Sequence, residues 1–394
     1  MQTRFSLSGP SSVQWCEKSL PMNYYVTLTT NCNLKCKYCY GKSCDDFGSD
    51  FHGINIDYSI PPRLNYPASF LQHFLEKGHR PVLIFYGGEP LLEIEAMKSV
   101  MDAVASASFV IQTNGLQLNK VGSEYVNRFN SIFVSLDGDE ALTDYYRGKG
   151  TFRKVMANLN SIRDDGFEGE IVARMTVGEE TEIDHQVLGL INSRPPISSV
   201  HWQLDALFWQ NDYSKRNFAD WAINNYNPRI RRLIEVWIGH MRESGEVWRL
   251  YPFVGVMRSL LTGEPAQLRC GAGWSVYNIQ TDGNITPCPV MAGMRDFYLG
   301  NIRDVHSEEF KKSVFVSEPC SSCRVFHICG GRCLYANATK LWGTQGYQQV
   351  CDTVINLIQA LTEAKFEVKG LLEDGTIRPE GLDYPAYNGA EIIP

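Results

Sequence analysis

Cys32-Asn-Leu-Lys-Cys36-Lys-Tyr-Cys39 follows directly on Tyr24–Thr30 (YYVTLTT), a short β-rich run. Its three thiols fall within eight residues, with three and then two residues between them. Three thiolates on one loop can wrap an iron–sulfur cubane and leave the fourth iron without a protein ligand, where four cysteines are usual. An open metal position usually marks chemistry. The competing reading is a structural zinc loop, with Cys44 as a fourth ligand.

Downstream, the hydrophobic runs Val82–Gly88, Phe109–Gly115 and Ile132–Gly138 each end in small or polar residues. Ile171–Val177 and Val200–Leu204 complete a set of six strands. Continuous apolar runs of this length suit strands covered on both faces. Helical spacing lies between them. Phe152, Val155, Met156, Leu159 and Ile162 form one stripe, with Thr151 as the expected cap. Leu91–Ala105 and Asn227–Arg242 read similarly, the second with Asn227 as cap and Pro228 in its first turn. Alternation of this kind predicts parallel βαβ units in a partial, six-stranded TIM-like barrel of α/β class. Chemistry in such barrels sits at the C-terminal strand ends. Those ends carry Asn31–Cys39, Gly87–Pro90, Thr113–Gly115, Ser135–Gly138 and Leu204–Asp205.

The composition agrees with a globular protein. The chain has 394 residues, 44% hydrophobic and 21% charged, and a formal net charge of −7. That balance excludes disorder as the main state and disfavours nucleic-acid binding. The longest apolar runs are too short to cross a bilayer. The N-terminal MQTRFSLSGPSSVQW lacks the apolar stretch of a secretory signal, so a cytoplasmic protein is expected. In a reducing compartment, twelve cysteines point to metal or redox chemistry. None lies between Cys44 and Cys270, and seven lie from Cys270 to Cys351. Expected domains are an extension over 1–23, the barrel over 24–245, a cysteine-rich module with a β-hairpin and short helices over 246–365, and a loose tail over 366–394.

The first cysteine cluster, with Tyr38 before its last member, resembles the signature of the radical S-adenosylmethionine (radical SAM) superfamily. Gly87-Gly88-Glu89-Pro90, Thr113-Asn114-Gly115 and Ser135-Leu136-Asp137-Gly138 resemble its further motifs. Asp144–Phe152 resembles the segment that follows in peptide-modifying members. The resemblance implies a [4Fe–4S] cluster on Cys32, Cys36 and Cys39 whose open iron chelates SAM. It implies reductive cleavage of SAM to a 5′-deoxyadenosyl radical. It sets Gly87, Gly88 and Glu89 beside the SAM amino group, with the glutamate offsetting charge or fixing the loop. Asn114 belongs to the same contact set. Ser135 and Asp137 would face the ribose or carboxylate end, Arg147 the carboxylate, and Tyr38 and Leu204 the adenine.

The C-terminal cysteines resemble the SPASM extension, which carries two auxiliary [4Fe–4S] clusters. Its hairpin resembles Cys270–Pro289, with Gly300-Asn301-Ile302 following. The implied ligands are Cys320, Cys323, Cys329 and Cys351 for a distal cluster, and Cys270, Cys288 and Cys333 for one nearer SAM. An eighth cysteine of the pattern is absent from Gly271–Pro287. Cys16 and Cys44 match nothing and read as spare thiols.

The implied function is radical modification of a peptide or protein, as in ribosomal-peptide maturation, with a flavodoxin or ferredoxin as electron donor. Sulfatase-maturating members place an aspartate after the hairpin cysteine. Pro289 stands there, which disfavours that activity and leaves Asp205 as the candidate for acid–base work. With about two dozen residues before the first strand, a leader-recognition domain is not expected. Recognition falls to the barrel face, Trp202–Tyr213, a partner or the tail. Action on a small molecule or cofactor precursor, and a non-catalytic iron–sulfur electron carrier, are the alternatives.

Overall fold

The computed structural model describes residues 21–40, 53–76, 80–193, 197–208, 212–307, 315–386, 389 and 393–394. Cys16 and Cys44 lie outside them, as does nearly all of the N-terminal extension.

Six parallel strands form the barrel wall: β1 (Asn23–Thr29), β2 (Val82–Gly87), β3 (Ser108–Thr113), β4 (Phe129–Ser135), β5 (Glu170–Val177) and β6 (Ser199–Leu204). The two-residue β7 (Arg249–Leu250) extends the β6 edge. On the other edge, β8 (Val276–Ile279) pairs parallel with β1 and turns back through β9 (Asn284–Thr286) to β10 (Gly300–Asn301). The cysteine-rich hairpin is thus continuous with the barrel sheet. Its join involves residues some 250 positions apart (Tyr24 with Tyr277).

Strand alternation sorts the interior into layers. Side chains two apart on a strand share a face. Tyr25, Ile84, Val110, Phe133, Val172 and Val276 form a buried inner floor, closed by Tyr251. Two residues further along the same strands stand Thr27, Tyr86, Gln112, Ser135, Arg174 and Asn278. This second layer is polar, and Thr27 Oγ1 donates to Asn278 Oδ1 at 2.9 Å across it. Two residues further still lie the β1–β5 strand ends with Thr29, Gly88, Asn114, Asp137 and Thr176. Outward residues pack under the helices in the main core, where Trp202 of β6 meets the helix residue Phe253 and Phe253 meets Trp237.

Several local expectations are corrected. The run Leu91–Ala105 divides into a 3-10 turn, Pro90–Leu92, and a helix, Ile94–Ala103. The helix Thr151–Asp164 is capped by Gly150 at φ +82°, with Thr151 already inside it. The side chain of Asp144 does the capping, accepting from Gly150 N at 2.6 Å and Phe152 N at 2.9 Å. Asn227 opens the α-helix Asn227–Ser244 but is not its cap. It is itself helical (φ −63°), and the run from Phe218 reaches it through a π turn, Ala222–Tyr226. Pro228 cannot donate to residue 224, and the wider turn absorbs that missing bond.

The tail is not loose. The helix Gly343–Glu373 runs through the expected boundary at 365. Beyond it, Ile377, Leu382 and Ile393 are buried. Gly389 O accepts from Tyr25 OH at 2.9 Å, and Asp383 pairs with Arg258. The segment closes the barrel floor. Trp202 also offers no recognition surface, since it is fully buried with Nε1 donating to Tyr226 OH at 3.1 Å.

Candidate active site

The loop Cys32–Cys39 is held from three sides. Gly88 N donates to Thr29 O at 2.9 Å and Glu89 N to Asn31 O at 2.8 Å. A Cβ on Gly87 would stand 2.1 Å from Thr29 O, and one on Gly88 2.3 Å from Asn31 O. No side chain fits there, so the glycine pair lets β2 lock onto the start of the cysteine loop. From β3, Asn114 Nδ2 donates to Asn33 Oδ1 at 2.7 Å. From the helix Glu140–Arg147, Tyr146 O accepts from Lys37 N at 3.0 Å.

Glu89 fixes this frame. It is 1% exposed and accepts from Leu91 N, Thr113 Oγ1 and Asn114 N at 2.7–2.9 Å. Burial pushes its carboxyl above the usual range, and the three donors oppose that rise. Of its two expected roles, loop fixing is the one its bonds perform.

Asp137 receives four hydrogen bonds: from Tyr38 OH (2.7 Å), Arg147 Nε (2.7 Å), Arg147 Nη2 (2.9 Å) and Thr176 N (3.0 Å). A carboxylate has about four acceptor sites, so protein donors fill this one. Arg147 also lies over the Tyr38 ring, 5.4 Å from its centre. Tyr38, Asp137 and Arg147 thus form one unit, with Asp137 and Arg147 buried and Tyr38 half-buried. Ser135 stays half-buried at the end of β4, in register with Arg174. Leu204 is fully buried in the core, so its side chain has no surface to offer an adenine.

Asp205 pairs with Arg216 at 3.2 Å, as do Glu179 at 2.7 Å and Asp212 at 3.2 Å. Burial lifts its carboxyl to about 6 against the pull of Arg216, with Asp212 and Glu179 adding to the rise.

The C-terminal cysteines gather in two sets. Cys320, Cys323, Cys329 and Cys351 line one cavity with Arg332 and Tyr347. Burial first, then the neighbouring thiols, holds Cys351 up at about 12, while Arg332 pulls it down. Cys288 is raised by burial and then by Cys333 and Cys270, which identifies the second set. Cys36 likewise is raised by burial, lowered by Arg147 and raised by Cys39 and Cys32. Tyr86 lies near both the first loop and the second set: burial raises its hydroxyl, Arg174 lowers it, and both Cys39 and Cys288 act on it. Sequence reasoning reached Phe208 only within Trp202–Tyr213 and missed Tyr40, Tyr86 and Tyr335. Tyr40 hydrogen-bonds Tyr86, and Phe208 stacks between Tyr40 and Tyr335 at 5.6 and 6.0 Å. The tight loop at Leu207 (φ +67°) presents Phe208.

Among the described residues, no three His, Cys, Asp or Glu side chains are arranged around a single metal ion. Four of the thiols instead line one cavity, and the others lie near one another in two sets of three. All-thiolate sets of this kind fit iron–sulfur clusters.

The comparisons with known proteins accord with this. A model of the radical SAM superfamily matches residues 26–191, and a model of the SPASM iron–sulfur cluster-binding domain matches 270–325. The chain is 24% identical over 358 residues to a cysteine-type anaerobic sulfatase-maturating enzyme of Clostridium perfringens, covering 79% of this chain and 88% of the relative. Native anSMEcpe, solved with bound AdoMet and the Kp18Cys peptide, superposes with a TM-score of 0.70 at 18% identity over 89% of this chain and all of that one. Streptococcus suis SuiB, solved with its precursor peptide SuiA, gives 0.54 at 16% identity over 80% of this chain and 72% of that one. At such identities the two structures speak to the fold. Among the described residues no helix is long and apolar enough to cross a membrane. The non-catalytic carrier reading falls away: the chain is a radical SAM enzyme that uses S-adenosylmethionine, a [4Fe–4S] cluster and auxiliary iron–sulfur clusters in a SPASM domain.

Proposed function

We propose that this enzyme abstracts hydrogen from a peptide or protein held between two cysteine sets and so installs an oxidative modification. The observation that carries this is the position of Tyr86, which lies near both Cys39 of the first loop and Cys288 of the second set. A substrate in that space touches both. The relatives' names support a peptide: one is a sulfatase-maturating enzyme, and the solved structures hold peptides.

In this reading Cys32, Cys36 and Cys39 hold the radical cluster. Cys320, Cys323, Cys329 and Cys351 hold a distal auxiliary cluster. Cys270, Cys288 and Cys333 hold a nearer one whose fourth position is not cysteine. When bound, the radical cluster supplies the electron that splits SAM into methionine and a 5′-deoxyadenosyl radical. Gly87, Gly88, Glu89 and Asn114 keep its loop in place. The unit Tyr38–Asp137–Arg147 braces the opposite side, with Ser135 facing the cofactor. Proline stands at 289, so the proton acceptor comes from another element. Asp205 is suited to it, because its carboxyl gains and loses a proton near neutrality. The barrel (24–245) thus carries the radical chemistry and the module (246–365) the auxiliary clusters.

The test is anaerobic incubation of the reconstituted enzyme with SAM, dithionite and synthetic peptides from open reading frames beside its gene. Expected is a peptide mass change matched by 5′-deoxyadenosine. Consumption of a small molecule with every peptide unchanged would refute the reading.

A further inference from the structure

The polar layer of the barrel contains a cation that, among the described residues, makes no ion pair. Arg174 stands two residues beyond Val172 of the apolar floor and beside Ser135 of β4. Its Nη1 donates to Gln112 Oε1 at 2.5 Å and its Nη2 to Gln203 Oε1 at 3.3 Å. Among the described residues Arg174 has no ion-pair partner. The carboxylates of the mouth are committed elsewhere: Asp137 to Arg147, Glu179, Asp205 and Asp212 to Arg216, and Glu89 to its three hydrogen-bond donors. Its other neighbours are the phenols of Tyr25 and Tyr86 and the imidazole of His201. It opposes the protonation of His201, which burial already disfavours.

A half-buried guanidinium whose hydrogen-bond partners are neutral amides is costly to hold, and an anion offsets the cost. The glutamines sharpen the point. Each turns its oxygen towards Arg174, which turns its planar NH2 group away, and no protein acceptor among the described residues takes either NH2. The two glutamine oxygens are thus used on Arg174, and neither brings it a negative charge. Tyr86, which Arg174 acts on, also lies near both cysteine sets.

We propose that Arg174, oriented by Gln112 and Gln203, is the receptor for a carboxylate of the substrate: an Asp or Glu side chain, or a peptide C-terminus, entering the barrel. Guanidinium matches carboxylate with two parallel bonds, and lysine would keep the charge without that geometry. The inference rests on the reading that substrate lies between the cysteine sets. It adds what that substrate must carry near its reacting carbon.

The test is a ligand-observed NMR titration of anaerobic holoenzyme with SAM present. The probes are N-acetyl-glutamate α-amide and its neutral isostere N-acetyl-glutamine α-amide. Expected is a preference of about tenfold or more for the acid, the size of a charge-assisted hydrogen bond. Arg174→Gln should abolish the preference, and Arg174→Lys should keep part of it. Gln203→Leu, a milder change, should reduce it and guards against a variant that does not fold. Equal binding of the two probes by the wild type, or a preference that survives Arg174→Gln, overturns the proposal. So does a tenfold loss of SAM affinity in Arg174→Gln without any probe preference in the wild type, which would assign the guanidinium to the carboxylate of SAM. Failure of the peptide reading itself shows differently, as a bound acidic probe with no peptide modified.

Discussion

Arg147 and Asp137 meet through two hydrogen bonds, Nε to Oδ2 at 2.7 Å and Nη2 to Oδ1 at 2.9 Å, and neither side chain is more than 7% exposed. Removing one partner strands the other's charge in a low dielectric. Asp137→Asn should cost roughly 3–5 kcal/mol of folding stability. Arg147→Gln should cost a similar amount, and the double variant less than the sum. Denaturant unfolding of the three proteins checks this. Strict additivity would mean that the two side chains act independently.

The glycine pair at the end of β2 has no room for a methyl group. Gly87→Ala and Gly88→Ala should each displace the cysteine loop, because the obstructing atoms at 2.1 and 2.3 Å belong to backbone. Both variants should lose the iron and the paramagnetic signal of the radical cluster and keep those of the auxiliary clusters. A wild-type spectrum from either would show that the loop does not depend on this contact.

Asp205 makes stability depend on pH. Its carboxyl ionises at about 6 in the folded protein, against 3.8 ordinarily, because burial outweighs Arg216. The folded state therefore binds the proton more tightly than the unfolded one. Stability from this group is full below about pH 4 and is lost as the pH rises through 6. Asp205→Asn removes that loss and should be the more stable protein at pH 7, by roughly 1–3 kcal/mol. Unfolding midpoints at pH 4.5, 6 and 7 check it. Parallel pH profiles for variant and wild type would contradict it.

The two C-terminal cysteine sets should empty separately. With three [4Fe–4S] clusters the protein carries about twelve irons. Alanine at Cys320 and Cys323 should remove about four and spare the site of Cys270, Cys288 and Cys333. Alanine at Cys270 and Cys288 should do the reverse. Iron analysis with Mössbauer spectroscopy distinguishes these outcomes from zinc or from joint loss.

The barrel strands were legible because helices cover one face and strand side chains fill the other, leaving unbroken apolar runs such as Val82–Phe85. The cysteine sets were legible because ligand spacing is local. The join of β8 to β1 was not, since pairing across some 250 residues leaves no mark in either segment. The tail misled for a similar reason. Ile377, Leu382 and Ile393 are isolated apolar residues whose burial depends on a barrel floor formed elsewhere. Pro228 reads as a helix start, and only the π turn before it explains why the helix continues. Arg174 looks like a surface charge in its own strand. Its inward direction appears only when Val172 is known to lie on the floor.

The most direct measurement is 5′-deoxyadenosine formation on reduction with SAM, in the wild type and in a variant with Cys32, Cys36 and Cys39 all replaced by alanine. The wild type should release 5′-deoxyadenosine. The variant should release none while retaining about eight irons on its C-terminal cysteines. Undiminished release by the variant would contradict the assignment of radical chemistry to this loop.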